Sequence, residues 1–177
     1  KSGIGVVISP LIALMQDQVQ ALRTVGIEAD YLNSTLSLSE QQQVIYRAQR
    51  NDIKLLYIAP ERLLQPDTMA MLQRCQINLF AIDEAHCVSS WGHDFRQDYL
   101  NLDQLGTAFP EVVRIALTAT ADPRTRKDIA TRLGLKDPCV FVEGFDRPNI
   151  CYTVQPKRDA RKQLQAFLND HPKESGI

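Results

Sequence analysis

Net charge is nearly absent from this sequence: 20 Lys and Arg stand against 21 Asp and Glu, for a formal charge of -1. Capture of a polyanion by bulk charge is therefore excluded, and any contact with nucleic acid has to come from local groups. The four cysteines (Cys75, Cys87, Cys139, Cys151) contain no C-x-x-C pair, and only His86, His93 and His171 could join them as metal ligands. That spacing excludes the common structural zinc modules and leaves reduced, buried thiols as the expectation. No apolar run approaches the roughly 20 residues that cross a bilayer, and no charged-then-apolar leader opens the chain. The expectations are no membrane partner and a cytoplasmic location, beside the nucleoid if the source is bacterial. Tandem repeats and low-complexity stretches are missing too, which excludes solenoids.

What is there is an ordinary globular text. With 44% hydrophobic and 23% charged residues, the 177-residue chain can bury one well-packed core. Short runs rich in β-branched and aromatic residues alternate with longer segments of helical period, the pattern of a parallel sheet flanked by helices. The fold class is α/β. Strands are expected at Gly5–Ile8, Ala29–Leu32, Lys54–Ile58, Leu79–Ile82, Arg114–Leu117 and Val140–Glu143. The first helix is expected to be capped by Ser9, with Pro10 at its first position, Leu11, Met15, Val19 and Leu22 inward, and Gly26 as its stop. Asp122, Pro123 and Gly134 repeat that grammar, and Ser37 with Glu40 has capping-box spacing before a helix to about Arg50. The basic residues Lys157, Arg158, Arg161 and Lys162 read as a solvated helix face.

In an open parallel sheet, ligands bind beyond the carboxyl ends of the strands. Four such ends are unusually polar. Leu79–Ile82 delivers Asp83, Glu84 and His86 to one edge, where two carboxylates need a cation or hydrogen bonds to offset desolvation. In the functional reading, Asp83 holds the magnesium of a nucleoside triphosphate through water, and Glu84 orients or deprotonates the attacking water. His86 contacts the phosphate region and the next strand end, or is simply a hydrogen-bonded histidine. Arg114–Leu117 leads into Thr118, Ala119 and Thr120, two hydroxyls placed to sense nucleotide state or to cap a helix. Ser9 and Pro10 open a helix whose free amides suit an anion. Arg62, after Tyr57–Ile58–Ala59–Pro60–Glu61, pairs with Glu61 or a nearby acid, or reaches a phosphate.

Asp83-Glu84-Ala85-His86 with Thr118-Ala119-Thr120 resembles motifs II and III of the superfamily-two helicases. The stretch Trp91-Gly92-His93-Asp94-Phe95-Arg96 resembles the aromatic-rich loop of the RecQ helicases and is not expected in the DEAH-type RNA helicases. Ser9 to Val19 resembles the RecQ form of motif Ia, and Phe145-Asp146-Arg147-Pro148-Asn149 its exit segment. This resemblance implies a RecA-like three-layer α/β/α motor domain that uses ATP and magnesium. It also implies 3′ to 5′ movement on single-stranded DNA and separation of duplexes with single-stranded extensions, in DNA repair and recombination. Trp91, His93, Phe95 and Arg96 would then touch the strand, with Trp91 and Phe95 as stacking faces.

Two departures from that family shape the expectation. No G-x-x-x-x-G-K-[ST] phosphate loop occurs, and Lys1-Ser2 is not its remnant, since a strand follows almost at once. Ser175-Gly176-Ile177 looks like the opening of a second lobe's first strand. The chain is therefore read as an N-terminally truncated excerpt, with residues 1–150 a partial first motor domain and 151–177 a connector into a second motor domain. Negligible ATPase is expected from it alone. The alternative is a degenerate RecA-like module that binds DNA or protein without hydrolysis; an RNA helicase is a third reading, against which the Trp91 loop counts.

Overall fold

Five of the β-rich runs become strands, because each finds a parallel neighbour to take up its backbone hydrogen bonds. They are β1 (Ile4–Ile8), β2 (Ala29–Leu32), β3 (Leu55–Ile58), β4 (Ile77–Ile82) and β5 (Val113–Ala116). They form one sheet in the order β2-β3-β1-β4-β5, and every pairing is parallel. The computed structural model describes residues 3–91, 94–144, 149–150 and 152–172. Their contacts divide into two units, residues 1–139 and 140–177.

In the first unit the connecting helices are α1 (Ile12–Thr24), α2 (Leu38–Gln49), α3 (Pro60–Leu63), α4 (Pro66–Leu72), α5 (Gln97–Leu100), α6 (Gln104–Ala108) and α7 (Pro123–Arg132), with a 3-10 turn at Ala85–Val88. Strand register decides which side chains share a face. Val6 is level with Leu56 and Phe80, and Ile8 with Ile58 and Ile82. All six are inaccessible to solvent, and they pack with Val44 and Ala48 of α2, Met71 and Leu72 of α4, and Ile129 of α7. Each of the larger side chains among them contributes about 1.5–3 kcal/mol on burial. The opposite face packs Ala29 and Tyr57 against Met15 and Val19 of α1. Helices on both faces make the expected three-layer α/β/α arrangement. Over β5 that second face is open, with Val113 66% and Ile115 43% exposed.

The connection from β1 runs through α1 to β2 at one side of the sheet, whereas β4 leads to β5 at the other. The gap beyond the carboxyl ends of β1 and β4 is thus a switch point, where an open α/β sheet leaves a crevice.

Local signals hold where a short segment decides the outcome. The Ser37 amide donates to Glu40 Oε2 at 2.8 Å, and the Glu40 amide donates to Ser37 Oγ at 3.4 Å, completing the capping box. The Thr125 amide donates to Asp122 Oδ1 at 2.7 Å, capping α7. Gly26 stops α1 at φ 80°, a left-handed conformation that glycine adopts without steric cost.

Three expectations are corrected. Helix α1 starts at Ile12 with Leu11 as its cap residue, so Pro10 precedes the helix and Ser9 does not cap it; the Ser9 hydroxyl has a distant partner instead, described below. Val140–Glu143 forms no strand: Val140, Phe141 and Val142 are 66%, 92% and 60% exposed. Strand-like composition forms a strand only where a neighbouring edge supplies hydrogen bonds. Among the cysteines Cys87 is buried and Cys75 half-buried, but Cys139 is exposed; Cys151 lies outside the described residues.

The second unit contains α8 (Ala160–Asp170), capped by Asp159, whose Oδ1 accepts the Lys162 amide at 3.2 Å. Leu164, Phe167 and Leu168 are each more than half exposed along it. No helix among the described residues is long and apolar enough to cross a membrane.

Candidate functional site

The crevice beyond β1 and β4 gathers residues far apart in sequence. The Asp83 amide donates to the Ile8 carbonyl at 2.8 Å, extending the β1–β4 ladder one step past the strands. Ser9, fully buried, donates its hydroxyl toward Asp83 Oδ2 at 3.4 Å. The first motif's serine thus joins the acidic motif instead of its own helix. Asp83 Oδ1 accepts the Glu84 amide at 3.0 Å, and the Asp83 carbonyl accepts the Tyr99 hydroxyl at 2.9 Å. Tyr99 is wholly buried, and burial pushes its phenol pKa up, keeping it an O–H donor.

Glu84 sits at φ 48° and ψ 42°, the left-handed region. A non-glycine residue there costs about 1–2 kcal/mol, and such strain concentrates where a side chain must be aimed. Here the turn aims Glu84 back over the sheet edge. Its Oε2 lies 3.3 Å from His86 Nδ1, and the same nitrogen lies 2.9 Å from Thr118 Oγ1. Thr118 Oγ1 also accepts the Thr120 amide at 3.2 Å. The Ala85 amide donates to the Leu117 carbonyl at 2.9 Å, so the two strand ends are also joined through the backbone. His86 Nδ1 thus stands between the Glu84 carboxylate and the Thr118 hydroxyl, close to both, and Glu84, with its side chain 30% exposed, faces the open side. A cleft of about 220 Å³ opens there, lined by Pro10, Glu84, His86, Asp94 and Thr120 among others.

The aromatic loop begins at the same edge. Arg96 donates to Asp94 Oδ2 at 3.1 Å and reaches the Pro10 carbonyl at 3.5 Å, while its amide donates to the Cys87 carbonyl at 2.9 Å. Trp91 and Phe95 are 62% and 45% exposed, so neither ring is consumed by core packing. His93 and Gly92 lie outside the described residues, as do Phe145–Pro148 of the exit segment. The structure therefore brings together Asp83, Glu84, His86, Thr118 and Thr120, with Ala119 lining the cleft, and sets Ser9, Pro10 and Arg96 beside them.

Arg62 stands apart. Its guanidinium forks onto Asp67 at 2.9 and 2.8 Å and also donates to Gln65 and, at 3.2 Å, to Gln41. Only 7% of the residue is exposed. These hydrogen bonds hold the Asp67 carboxyl below the usual carboxylate range. Of the two options left open by the sequence, this geometry realises pairing with a nearby acid.

His86, Cys87 and Asp94 place ligand-type atoms within 4.8 Å of one another. Burial and the Asp94 charge raise the Cys87 thiol to about 11, and Arg96 already pairs with Asp94. A thiol in that state is a poor metal ligand. Asp83 suits a metal better. Its carboxylate, with the Ser9 hydroxyl beside it, is a hard-oxygen set with lone pairs left over, the donor chemistry that magnesium takes.

Sequence reasoning missed Tyr99 and Arg124. The Arg124 guanidinium carbon lies 3.4 Å from the Trp91 ring centroid, a contact worth about 0.5–1 kcal/mol at an exposed site. Neither residue stands in a motif, and no local pattern announces either contact.

Comparison with known proteins matches residues 1–129 to the DEAD/DEAH box helicase family. The chain is 47% identical over 175 residues to the ATP-dependent DNA helicase RecQ of Pasteurella multocida, and 45% identical to that of Haemophilus influenzae, covering 99% of this chain in both cases. The RecQ-like DNA helicase BLM of Xenopus laevis is 42% identical over 185 residues, 14% of its length. The chain spans about 28% of the length of the two bacterial relatives. Two solved structures share the fold. The Pyrococcus furiosus Hef helicase domain has a TM-score of 0.53 at 17% identity, over 76% of this chain and 28% of that one. Mycobacterium smegmatis helicase Lhr, bound to single-stranded DNA and AMP-PNP, has a TM-score of 0.55 at 21% identity, over 73% and 18%. A parallel sheet with this polar edge, and identity that runs along nearly the whole chain, lead to one conclusion: the chain belongs to the DEAD/DEAH box helicase family, in its RecQ branch.

Proposed function

We propose that the crevice beyond β4 and β5 is the hydrolytic edge of an ATP-driven DNA motor, and that residues 1–150 are the larger part of its first motor domain, with 151–177 leading to a second. The observation that carries this reading is His86 Nδ1, placed 3.3 Å from the Glu84 carboxylate at an open cleft and 2.9 Å from the Thr118 hydroxyl at the next strand end. Glu84 takes the proton of the attacking water, being the strained acid that faces the cleft. Asp83, tied to Ser9 and to its own following amide, keeps a fixed orientation and would hold the magnesium. Bound magnesium would neutralise the charge that develops on the phosphates.

His86 and Thr118 link that edge to α7 and the aromatic loop. Trp91 and Phe95 offer stacking faces to single-stranded DNA, and His93 and Arg96 hydrogen-bond donors; Ser9 and Pro10 sit where the strand's backbone would pass. Arg62 acts on that surface indirectly, by bracing α3 and α4, unless DNA draws it from Asp67. The substrates are single-stranded DNA and duplexes with single-stranded extensions, tracked 3′ to 5′ in repair and recombination, close to the nucleoid in a bacterial cell.

Residues 1–177 contain no Gly-Lys-Ser/Thr phosphate loop, so by themselves they are expected to show negligible ATPase and no unwinding. The test of the central claim is Glu84→Gln in the full-length protein, with ATP binding and hydrolysis measured separately. Binding kept and turnover lost supports it; unchanged turnover removes Glu84 from the mechanism. Binding of single-stranded DNA by a full-length protein that never hydrolyses ATP would favour the degenerate-module reading.

A further inference from the structure

Arg124 is the second residue of α7, directly after Pro123. Proline at the first helical position fixes the backbone there, so the neighbouring side chain leaves the helix start in a set direction. Arg124 is exposed and Trp91 is 62% exposed, so core packing does not force them together. Even so, the guanidinium lies 3.4 Å from the centroid of the indole ring. At that distance two planar groups stack face to face, leaving the guanidinium edges free to donate. One face of Trp91 is covered and the rest of the ring stays open to solvent.

The same helix packs against the turn Ala85–Val88 that leads into this loop, and on it Arg132 donates to Asp128 Oδ1 at 2.8 Å. Within the loop, the Ser89 hydroxyl accepts the Trp91 amide at 3.3 Å. Asp122 and Asp128 both feel the Arg124 charge. Helix α7 also begins three residues after Thr120, whose amide is bonded to the Thr118 hydroxyl facing His86. Loop, helix and hydroxyl sensor are thus mechanically continuous.

We infer that Arg124 is a positioning residue for strand sensing: it holds Trp91 face-on, so that guanidinium, indole and an incoming nucleobase form a three-layer stack whose arrival is felt by α7 and Thr118. The inference rests on the reading of Trp91 as a strand contact. An unbraced indole on a polar loop has rotamers to lose when a base docks; a braced one has already lost them, which lowers the ordering cost of binding.

The test uses the full-length protein and an oligodeoxythymidylate, with stimulated ATP hydrolysis followed against oligonucleotide concentration. Arg124→Gln is expected to raise the half-saturating concentration about threefold to fivefold, the scale of an exposed cation–π contact, while the maximal stimulated rate holds. In a Trp91→Ala background the same substitution is expected to add almost nothing, because the two residues act as one unit. Arg124→Lys, which keeps the charge but not the plane, is expected to recover less than half of the loss. Full recovery by lysine, equal effects in both backgrounds, or a salt-dependence slope reduced by about 0.7, the mark of one lost phosphate contact, would each overturn the inference. A Trp91→Ala protein that saturates normally would sink the strand reading itself. A defective Trp91→Ala beside a normal Arg124→Gln would sink only the role given to Arg124.

Discussion

Two polar clusters stand at the carboxyl edge of the same sheet, and they differ in what they leave available. After β3, Arg62 is buried and its fork is closed on Asp67, with Gln65 and Gln41 taking further donors. After β4, Glu84 is held in a left-handed turn with its carboxylate at a cleft, touching His86 at 3.3 Å and otherwise facing outward. The first arrangement closes on itself and braces two short helices. The second keeps strain and an open carboxylate, which is what a site needs in order to act on something else. Charge at a strand end is thus a poor guide to function until its partners are known.

The largest effect that would sharpen this contrast is on chemistry. Glu84→Gln is expected to lower turnover of the full-length protein by about 10²- to 10⁴-fold, the usual contribution of a general base, with ATP affinity nearly unchanged in a direct binding assay. A mild loss would place Glu84 in the same structural class as Arg62. Next comes Arg62→Ala, expected to cost about 2 kcal/mol for lost charged hydrogen bonds, read as a drop in melting temperature of roughly 4–8 °C. The Asp67 carboxyl is depressed, so its contribution to stability is present above the ordinary aspartate pKa and lost as pH falls through the depressed value. In Arg62→Ala that acid-dependent loss should shrink, as thermal melts down a pH series would show. A variant that keeps its stability but loses affinity for single-stranded DNA would break the comparison from the Arg62 side.

Two smaller effects test the wall of the β4 cluster. Trp91→Ala should weaken stimulation by single-stranded DNA about tenfold, the scale of one stacked base, and more than it slows DNA-free hydrolysis; equal losses would mark the ring as a folding residue. Tyr99→Phe removes the hydroxyl that reaches the Asp83 carbonyl and should cost about 1 kcal/mol in denaturant unfolding. No loss there would show that water replaces the hydroxyl.

The strands from β1 to β5 were legible to within about two residues, because each is a short apolar run whose burial any parallel sheet would require. The failures share a cause. Ser9 reads locally as a cap, but its hydroxyl is drawn to Asp83, 74 residues away. Val140–Val142 has the composition of a strand and lacks the pairing partner that would make it one. Tyr99 and Arg124 were invisible because their contacts exist only once distant segments meet.

By itself, then, the order of residues determined the α/β class, the starts of α2 and α7 and the stop of α1, and the presence of two acids, an imidazole and two hydroxyls at strand ends, since periodicity, capping and turn chemistry act over a few residues. Only the tertiary structure decided which of those polar groups would be closed off and which left open. Strand order sets Asp83 against Ser9, joins His86 to Thr118 and lays Arg124 over Trp91, and strand order is settled by which faces can be buried together.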